Sequence, residues 1–254
     1  MLQLRWKNML VITFLVSMVG WSCVASEFKP VMVITSMSDA FAYIWNDFLP
    51  PDFVNWQHML KYLLDTIYMC YIATFISVVI SLFISLCASQ TTTPVKWLYP
   101  IARGIASVLR TIPSTVWVLL LVVSVGIGLT SGVLAMILAG VGWLTRAFAE
   151  VFDEMKQGQM EALRATGAGW VHVVSQGILP QSLPAILAWA LYAFDNSIRD
   201  STIIGMVGGG GIGFYLQESV KLFQFQEMTA GLVALLALII GIEFATNMLR
   251  RKLL

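Results

Sequence analysis

The feature that most constrains this chain is a succession of apolar runs, each close to the length of a bilayer crossing and nearly free of charge. A membrane helix needs about 20 mostly apolar residues. Runs of this kind lie at 8–24, 66–88, 112–129, 132–149, 183–198 and 230–249. Charged residues make up only 11% of the chain, against about a quarter in soluble domains. Lipid must therefore solvate much of its surface. The expected fold class is all-α: a polytopic membrane helix bundle of about six transmembrane helices. The division expected is an N-terminal unit at 1–65, made of the first helix and an outer loop, and a core at 66–254.

Two runs carry qualifications. Residues 8–24 follow Arg5 and Lys7 and read either as a retained first span or as a cleaved leader. Cys23-Val24-Ala25 is a poor cleavage site and the apolar region is long, which favours retention. Residues 95–110 are amphipathic, with Lys96, Arg103 and Arg110, and Pro113 interrupts the pattern. This predicts an interfacial helix, a break, and then the span at 112–129.

Charge sets the expected orientation, because cytoplasmic loops are enriched in Lys and Arg. With the N-terminus inside, Arg5, Lys7, Lys96, Arg103, Arg110, Arg146, Lys156, Arg164, Arg250, Arg251 and Lys252 fall inside. Lys29, Lys61, Arg199 and Lys221 fall outside. Both termini are then cytoplasmic. The loop at 25–65 is acidic through Glu27, Asp39, Asp47, Asp52 and Asp65, and its Trp45 and Trp56 suit an interface. A net charge of +1 is uninformative about partners, and with no basic cluster of nucleic-acid type no nucleic-acid partner is expected. Cys23, Cys70 and Cys87 form no metal or redox motif and read as small hydrophobes. His58 and His172 are isolated and read as structural or solvated.

The polar stretch 150–181 is too polar to span and too patterned for a linker. Met160, Glu161, Ala162, Leu163, Arg164 and Ala165 favour a short helix over 159–166. Gly167 can take the left-handed conformation that ends it. A second short helix is expected at 170–178, stopped before Pro180. Two short helices at a turn make a rigid projection able to carry force from a soluble partner.

Glu161-Ala162-Leu163, Gly167 and Ile178-Leu179-Pro180 resemble the EAA loop of ABC-importer permeases. Glu161, Ala162, Gly167, Leu179 and Pro180 fit that pattern in register. Leu163 departs from its third-position alanine, and Gly177 stands where the family has isoleucine. The resemblance implies a type I ABC-importer permease in a bacterial inner membrane, working by alternating access. It also implies that this loop docks on a separate ATPase subunit, with Glu161 at the contact. ATP and magnesium would be held by that partner, and no cofactor by this chain, which lacks a Gly-x-x-x-x-Gly-Lys-[Ser/Thr] phosphate loop. The further partners implied are a periplasmic or surface-anchored substrate-binding protein and a second permease chain, as a homodimer.

Three segments bear on the substrate. They are Arg110-Thr111-Ile112-Pro113, the stretch Asp195-Asn196-Ser197-Ile198-Arg199-Asp200-Ser201-Thr202 leaving the fifth span, and Val207-Gly208-Gly209-Gly210-Gly211-Ile212-Gly213. Together they resemble permeases for phosphonate and related phosphorus oxyanions. Methionine permeases share the first and last, and are the alternative. Candidate pathway residues are Arg110, Pro113, Asp195, Asn196, Arg199, Ser201 and Thr202. Asp195 and Arg199 either neutralise each other at helical spacing, or Arg199 with Ser201 and Thr202 meets an anionic substrate. Glu243 reads as a buried hydrogen-bonded carboxyl or as reaching Arg250. Gly208, Gly210 and Gly213 satisfy G-x-G-x-x-G but lack the βαβ unit of a dinucleotide site. With Gly209 and Gly211 they read as bendable backbone near the outer mouth. An intramembrane enzyme would need a catalytic or metal motif that the spans lack. A secondary transporter would have no reason to carry the 161–180 pattern.

Overall fold

The computed structural model describes residues 2–155 and 157–253; Lys156 lies outside them, as do the side chains of Arg5, Lys7, Met160 and Arg164. Among the described residues all regular structure is helical. The chain forms two compact units, 1–49 and 50–254. The boundary expected at 65/66 instead falls inside a continuous helix.

In the first unit, α1 (Leu2–Ala25) is apolar all round, and its large apolar side chains from Met9 to Val24 are exposed. A helix of that kind is solvated by lipid. The segment expected as a loop is helical through α2 (Pro30–Thr35) and α3 (Met37–Tyr43), which a wider π-type turn extends over Ile44–Phe48.

The second unit is built on α4 (Trp56–Ala88) and α7 (Leu129–Asp153). The 33 residues of α4 measure about 50 Å, more than a bilayer core needs. Its buried stripe is small: Thr66, Cys70, Ala73, Ser77, Ser81, Ser85 and Ala88, at helical spacing. Without a hydrophobic drive between helices in lipid, small residues that let backbones approach decide the pairing. Ser77 and Ser81 donate across to the carbonyls of Ile137 and Val141, each at 3.3 Å. Gly140 of α7 sits directly on Ser77.

Between these two, α5 (Leu98–Thr111) and α6 (Ser114–Val125) meet at 85°. Pro113 causes the bend: it has no N–H to continue α5, and it holds Ile112 extended at φ −84°, ψ 119°. The 12 residues of α6 span only about 18 Å, too short for the straight crossing expected at 112–129; with α5 they form a bent pair, a broken span or a re-entrant loop.

After the projection, α10 runs unbroken over Leu179–Ile204. Two expectations are corrected here. Pro180 does not stop a helix; it lies in the first turn of α10, where a missing N–H costs nothing. The stretch 195–202 does not leave the helix but lies within it, with Asp195 and Arg199 paired as described below. A π-type turn at Gly205–Gly209 then reverses the chain into α11 (Gly211–Lys221). Gly208 and Gly210 take φ of 107° and 81°, which side-chain-bearing residues rarely adopt. Gly213 packs on the Thr202 carbonyl and Gly132 on the Gly209 carbonyl. The Ile212 N–H donates to Thr66 Oγ1 at 2.7 Å, pinning α11 to α4. Finally α12 (Phe225–Leu253) closes the bundle. Asn55 donates to Glu227 at 2.9 Å and the Asp52 N–H to the Gln226 carbonyl at 3.1 Å, which explains why α4 is ordered ten residues before the expected span.

Helix propensity and packing make opposite predictions for Gly132. Propensity alone favours alanine by about 0.8–1 kcal/mol. The contact with a backbone carbonyl that cannot move aside costs about 1–3 kcal/mol, so Gly132→Ala is expected to lower the thermal midpoint of the solubilised protein. Gly104, in α5, is the control, since an added Cβ would meet no neighbour within 4 Å: Gly104→Ala should raise the midpoint or leave it unchanged.

Candidate functional site

The site has three parts: a projection, a polar junction at its root and a cleft beside the broken helix. The projection begins with α8 (Gln157–Ala165), where Glu161 and Ala162 are exposed. Gly167 ends it at φ 81°, the left-handed value expected for the cap. A single turn, α9 (Trp170–His172), passes into a π-type turn at Val173–Ile178 and so directly into α10. Val173, Val174 and Ile178 are buried with Leu144, Phe148 and Phe152 of α7. The projection is thus packed as one body with two long helices.

The two departures from the family pattern meet in space. A Cβ on Gly177 would fall 2.7 Å from Leu163 Cδ1. A large residue where the family has a small one fills the room left by a small residue where the family has a large one. The loop keeps its shape by exchanging volume between its halves.

At the root, Asp153 ends α7. Its Oδ1 accepts from Ser89 Oγ at 2.7 Å, Thr91 Oγ1 at 3.2 Å and the Thr91 N–H at 3.3 Å. Its Oδ2 accepts from Arg103 Nη2 at 3.1 Å, while Arg103 Nε donates to the Ala88 carbonyl at 3.0 Å. Trp170 Nε1 donates to the Thr92 carbonyl at 2.7 Å. The ends of α4 and α7, the start of α5 and the projection are therefore joined by one polar network. Charge-assisted hydrogen bonds of this kind are worth about 1.5–3 kcal/mol each.

The cleft, about 280 Å³, lies where α5 bends into α6 and faces α7 and α10. Arg110, Pro113, Trp143, Tyr192, Asn196 and Asp200 are among its lining residues. Tyr192, Asn196 and Asp200 follow at four-residue spacing on one face of α10, and Asn196 Nδ2 donates to Asp200 Oδ2 at 3.2 Å. Trp143 packs on Tyr192, with ring centroids 5.5 Å apart.

Of the pathway candidates, the fold brings Arg110, Pro113 and Asn196 to this cleft. It turns Asp195 and Arg199 to another face of α10, where Arg199 Nη2 lies 2.9 Å from Asp195 and 3.3 Å from Glu243 of α12. Glu243 is half exposed and paired with Arg199, so it is neither buried nor directed to Arg250. Ser201 is buried and donates to the Ile198 carbonyl at 2.6 Å. Thr202 Oγ1 is buried at the glycine turn with no hydrogen-bond partner among the described residues. Sequence reading passed over Asp200 and Asp153. Asp200 stands in the quoted 195–202 stretch at i+4 from Asn196. Asp153 opens the polar stretch but meets Arg103, 50 residues away, only in the fold.

The Leu163–Gly177 contact makes a prediction. Gly177→Ile should destabilise the solubilised protein by about 1–3 kcal/mol through overpacking. Leu163→Ala should cost about 2 kcal/mol. The double variant should lose at least about 1 kcal/mol less than the sum. Simple additivity in thermal unfolding would contradict the exchange of volume.

Residues 80–253 match the family described as binding-protein-dependent transport system inner membrane component. The chain is 34% identical over 212 residues to the phosphite transport system permease protein PtxC of Stutzerimonas stutzeri, covering 84% of this chain and 77% of that one. It is 30% identical over 237 residues to the phosphate-import permease protein PhnE of Mycolicibacterium smegmatis, covering 91% of this chain but 44% of that longer protein. Among solved structures, a chain of the MetNI methionine ABC transporter in an inward-facing conformation matches with a TM-score of 0.68 at 24% identity, over 77% of this chain and 96% of that one. That likeness gives the fold, an all-helical importer-permease bundle, and the sequence match gives the family. This multi-pass membrane protein belongs to the binding-protein-dependent transport system inner membrane components.

Proposed function

We propose that this chain is the permease of an ATP-driven importer for phosphite, phosphonate or a related phosphorus oxyanion. The observation that carries the reading is the continuity from an exposed Glu161 to the pathway cleft. The projection is packed on α7, tied through Trp170 and Asp153 to α4 and α5, and α5 leads to Arg110 at the cleft. The phosphite permease relative, at 34% identity, favours phosphorus oxyanions over methionine, since the methionine transporter shares the fold at 24%.

In this reading the projection faces the cytoplasm, both termini lie inside, and an ATPase subunit holding ATP and magnesium docks on Glu161, Ala162 and Gly167, with Leu179 and Pro180 leading into α10. A binding protein delivers the anion to the outer mouth, and two copies of this chain enclose the pathway. ATP shifts the equilibrium because the ATPase pair binds one state of the two projections better than the other. Arg110 supplies the bidentate cation for an oxyanion, Asn196 an amide donor. The glycines at 208–213 hold the outer turn tightly against α7 and α10 and set how far it can open.

Reconstitution with the ATPase and binding protein should give ATP-dependent uptake of phosphite that methionine does not inhibit. Uptake of methionine without phosphite would overturn the substrate assignment. Glu161→Arg should lower uptake by about tenfold or more while the chain still inserts and the ATPase still turns over. Normal uptake by that variant would remove Glu161 from the coupling contact.

A further inference from the structure

The helical segment at 30–48 plays no part in the importer reading, yet its side chains are sorted with care. The elements α2, α3 and the π-type turn form one rod. The Ser36 N–H donates to the Met32 carbonyl at 2.9 Å and the Ala40 N–H to the Ser36 carbonyl at 3.0 Å, so the ladder passes through the junction. At about 1.5 Å per residue the rod is about 28 Å long. Ile34, Met37, Phe41, Ile44 and Trp45 follow the i, i+3, i+7, i+10, i+11 spacing of one helix face. Phe41 and Trp45 stack along that face, with ring centroids 6.1 Å apart. Thr35, Asp39, Asn46 and Asp47 take the other side. Among the described residues nothing buries the apolar face: its five side chains are 51–69% exposed.

The level of the rod is set by α1, which lies in the same compact unit. The apolar crossing of α1 ends at Ala25. A hydrogen-bonded cap closes it there. The Glu27 N–H donates to the Val24 carbonyl at 3.2 Å and the Phe28 N–H to the Cys23 carbonyl at 2.9 Å, with Glu27 left-handed at φ 54°. Four residues, 26–29, separate α1 from the rod, and three of them belong to this turn. The rod therefore begins where α1 leaves the bilayer. Exposed Trp21, one turn before the end of α1, and Trp45 on the rod are of the type that gathers at the membrane–water boundary.

The two faces leave one orientation. Crossing the bilayer would place Asp39, Asn46 and Asp47 in hydrocarbon, which is costly for ionisable groups. Standing in water would leave the whole apolar stripe solvated. Lying in the boundary plane satisfies both faces. Helices that lie there commonly carry Lys and Arg on the polar face, which anionic lipids attract. Here the polar face is acidic, and 30–60 contains no Lys or Arg. Apolar burial alone must hold the rod.

We propose that 30–48 is an in-plane helix bound to the bilayer surface at which α1 ends. Lipid covers Ile34, Met37, Phe41, Ile44 and Trp45, and the Asp39 side faces water. The rod anchors the N-terminal unit at a fixed depth, whatever solute the chain carries.

The test uses the full-length chain with Cys23, Cys70 and Cys87 replaced, carrying one nitroxide label at a time from 33 to 47. It is reconstituted in uncharged phosphatidylcholine vesicles. Electron paramagnetic resonance reads the access of oxygen, which concentrates in lipid, and of a water-soluble nickel complex. Oxygen access should oscillate with a period of about 3.6 residues, peaking at 34, 37, 41 and 44, and nickel access should peak at 35, 39 and 46. Labels on the apolar face should sit about 5–10 Å below the headgroup boundary. Met37→Ser with Phe41→Ser should raise the label at 44 toward the headgroups, while a label at Tyr71 in α4 keeps its oxygen access and so reports an intact core. Oxygen access on all sides would mean a crossing, and nickel access on all sides a solvated helix. Access of neither reagent to the apolar face would mean a protein cover, from the core unit or a second copy. Any of these three patterns, or a label at 44 that the double substitution does not move, would overturn the proposal.

Discussion

A single carboxylate organises one end of this bundle. Asp153 gathers Ser89, Thr91 and Arg103 around its two oxygens. It thereby fixes the end of α7 against the end of α4 and the start of α5. The apolar contact among these elements there is made by small side chains, Ala88, Ala102 and Ala149, while the exposed face of α5 carries Ile101, Ile105 and Val108 outward. Without the carboxylate the Arg103 side chain would lose its ion pair beside the membrane, and Thr91 and Ser89 would lose their common acceptor. The projection hangs from the same junction through the Trp170–Thr92 bond. Its position relative to the bundle is therefore set by this bond together with the apolar packing of Val173, Val174 and Ile178 on α7, not by loop length.

The remainder of the unit works by close approach. The serine stripe of α4 and the glycines of α7 bring two long helices together where lipid offers no hydrophobic drive. The same device recurs at the turn between α10 and α11, where Gly209 lies on Gly132 and Gly213 on Thr202. Between these rigid contacts stand the two places where the chain is bent: the 85° corner at Pro113 and the glycine turn at 205–211. The cleft lies between them, and Arg110, one turn before the corner, is its cation. In the proposed cycle these bends are where a change at the projection would appear in the pathway.

Much of this was legible in the chain. The apolar runs located every long helix, Pro113 located the corner, and Gly167 the cap of α8. The helical extent beyond the runs was not legible. Residues 55–65 are held by the Asn55–Glu227 bond and by contacts of His58 and Tyr62 to Tyr215, partners more than 150 positions away. Pro180 misled because a proline that ends one helix and a proline that opens the next look alike in sequence. Arg199 was half legible: local spacing offered Asp195 as partner, and that pair forms, but the second carboxylate, Glu243, reaches it only through the packing of α12 on α10. Arg110 makes no side-chain hydrogen bond or ion pair among the described residues. Its freedom is a property of what the fold fails to bring near it.

The central claim is that Glu161 stands on a cytoplasmic projection fastened to the bundle at Asp153. A membrane-impermeant maleimide tests it most directly, applied to Glu161→Cys in a chain whose Cys23, Cys70 and Cys87 are replaced. The account predicts labelling in inverted vesicles, protection when the ATPase subunit is bound, and none in intact cells. Labelling of intact cells from outside would contradict it.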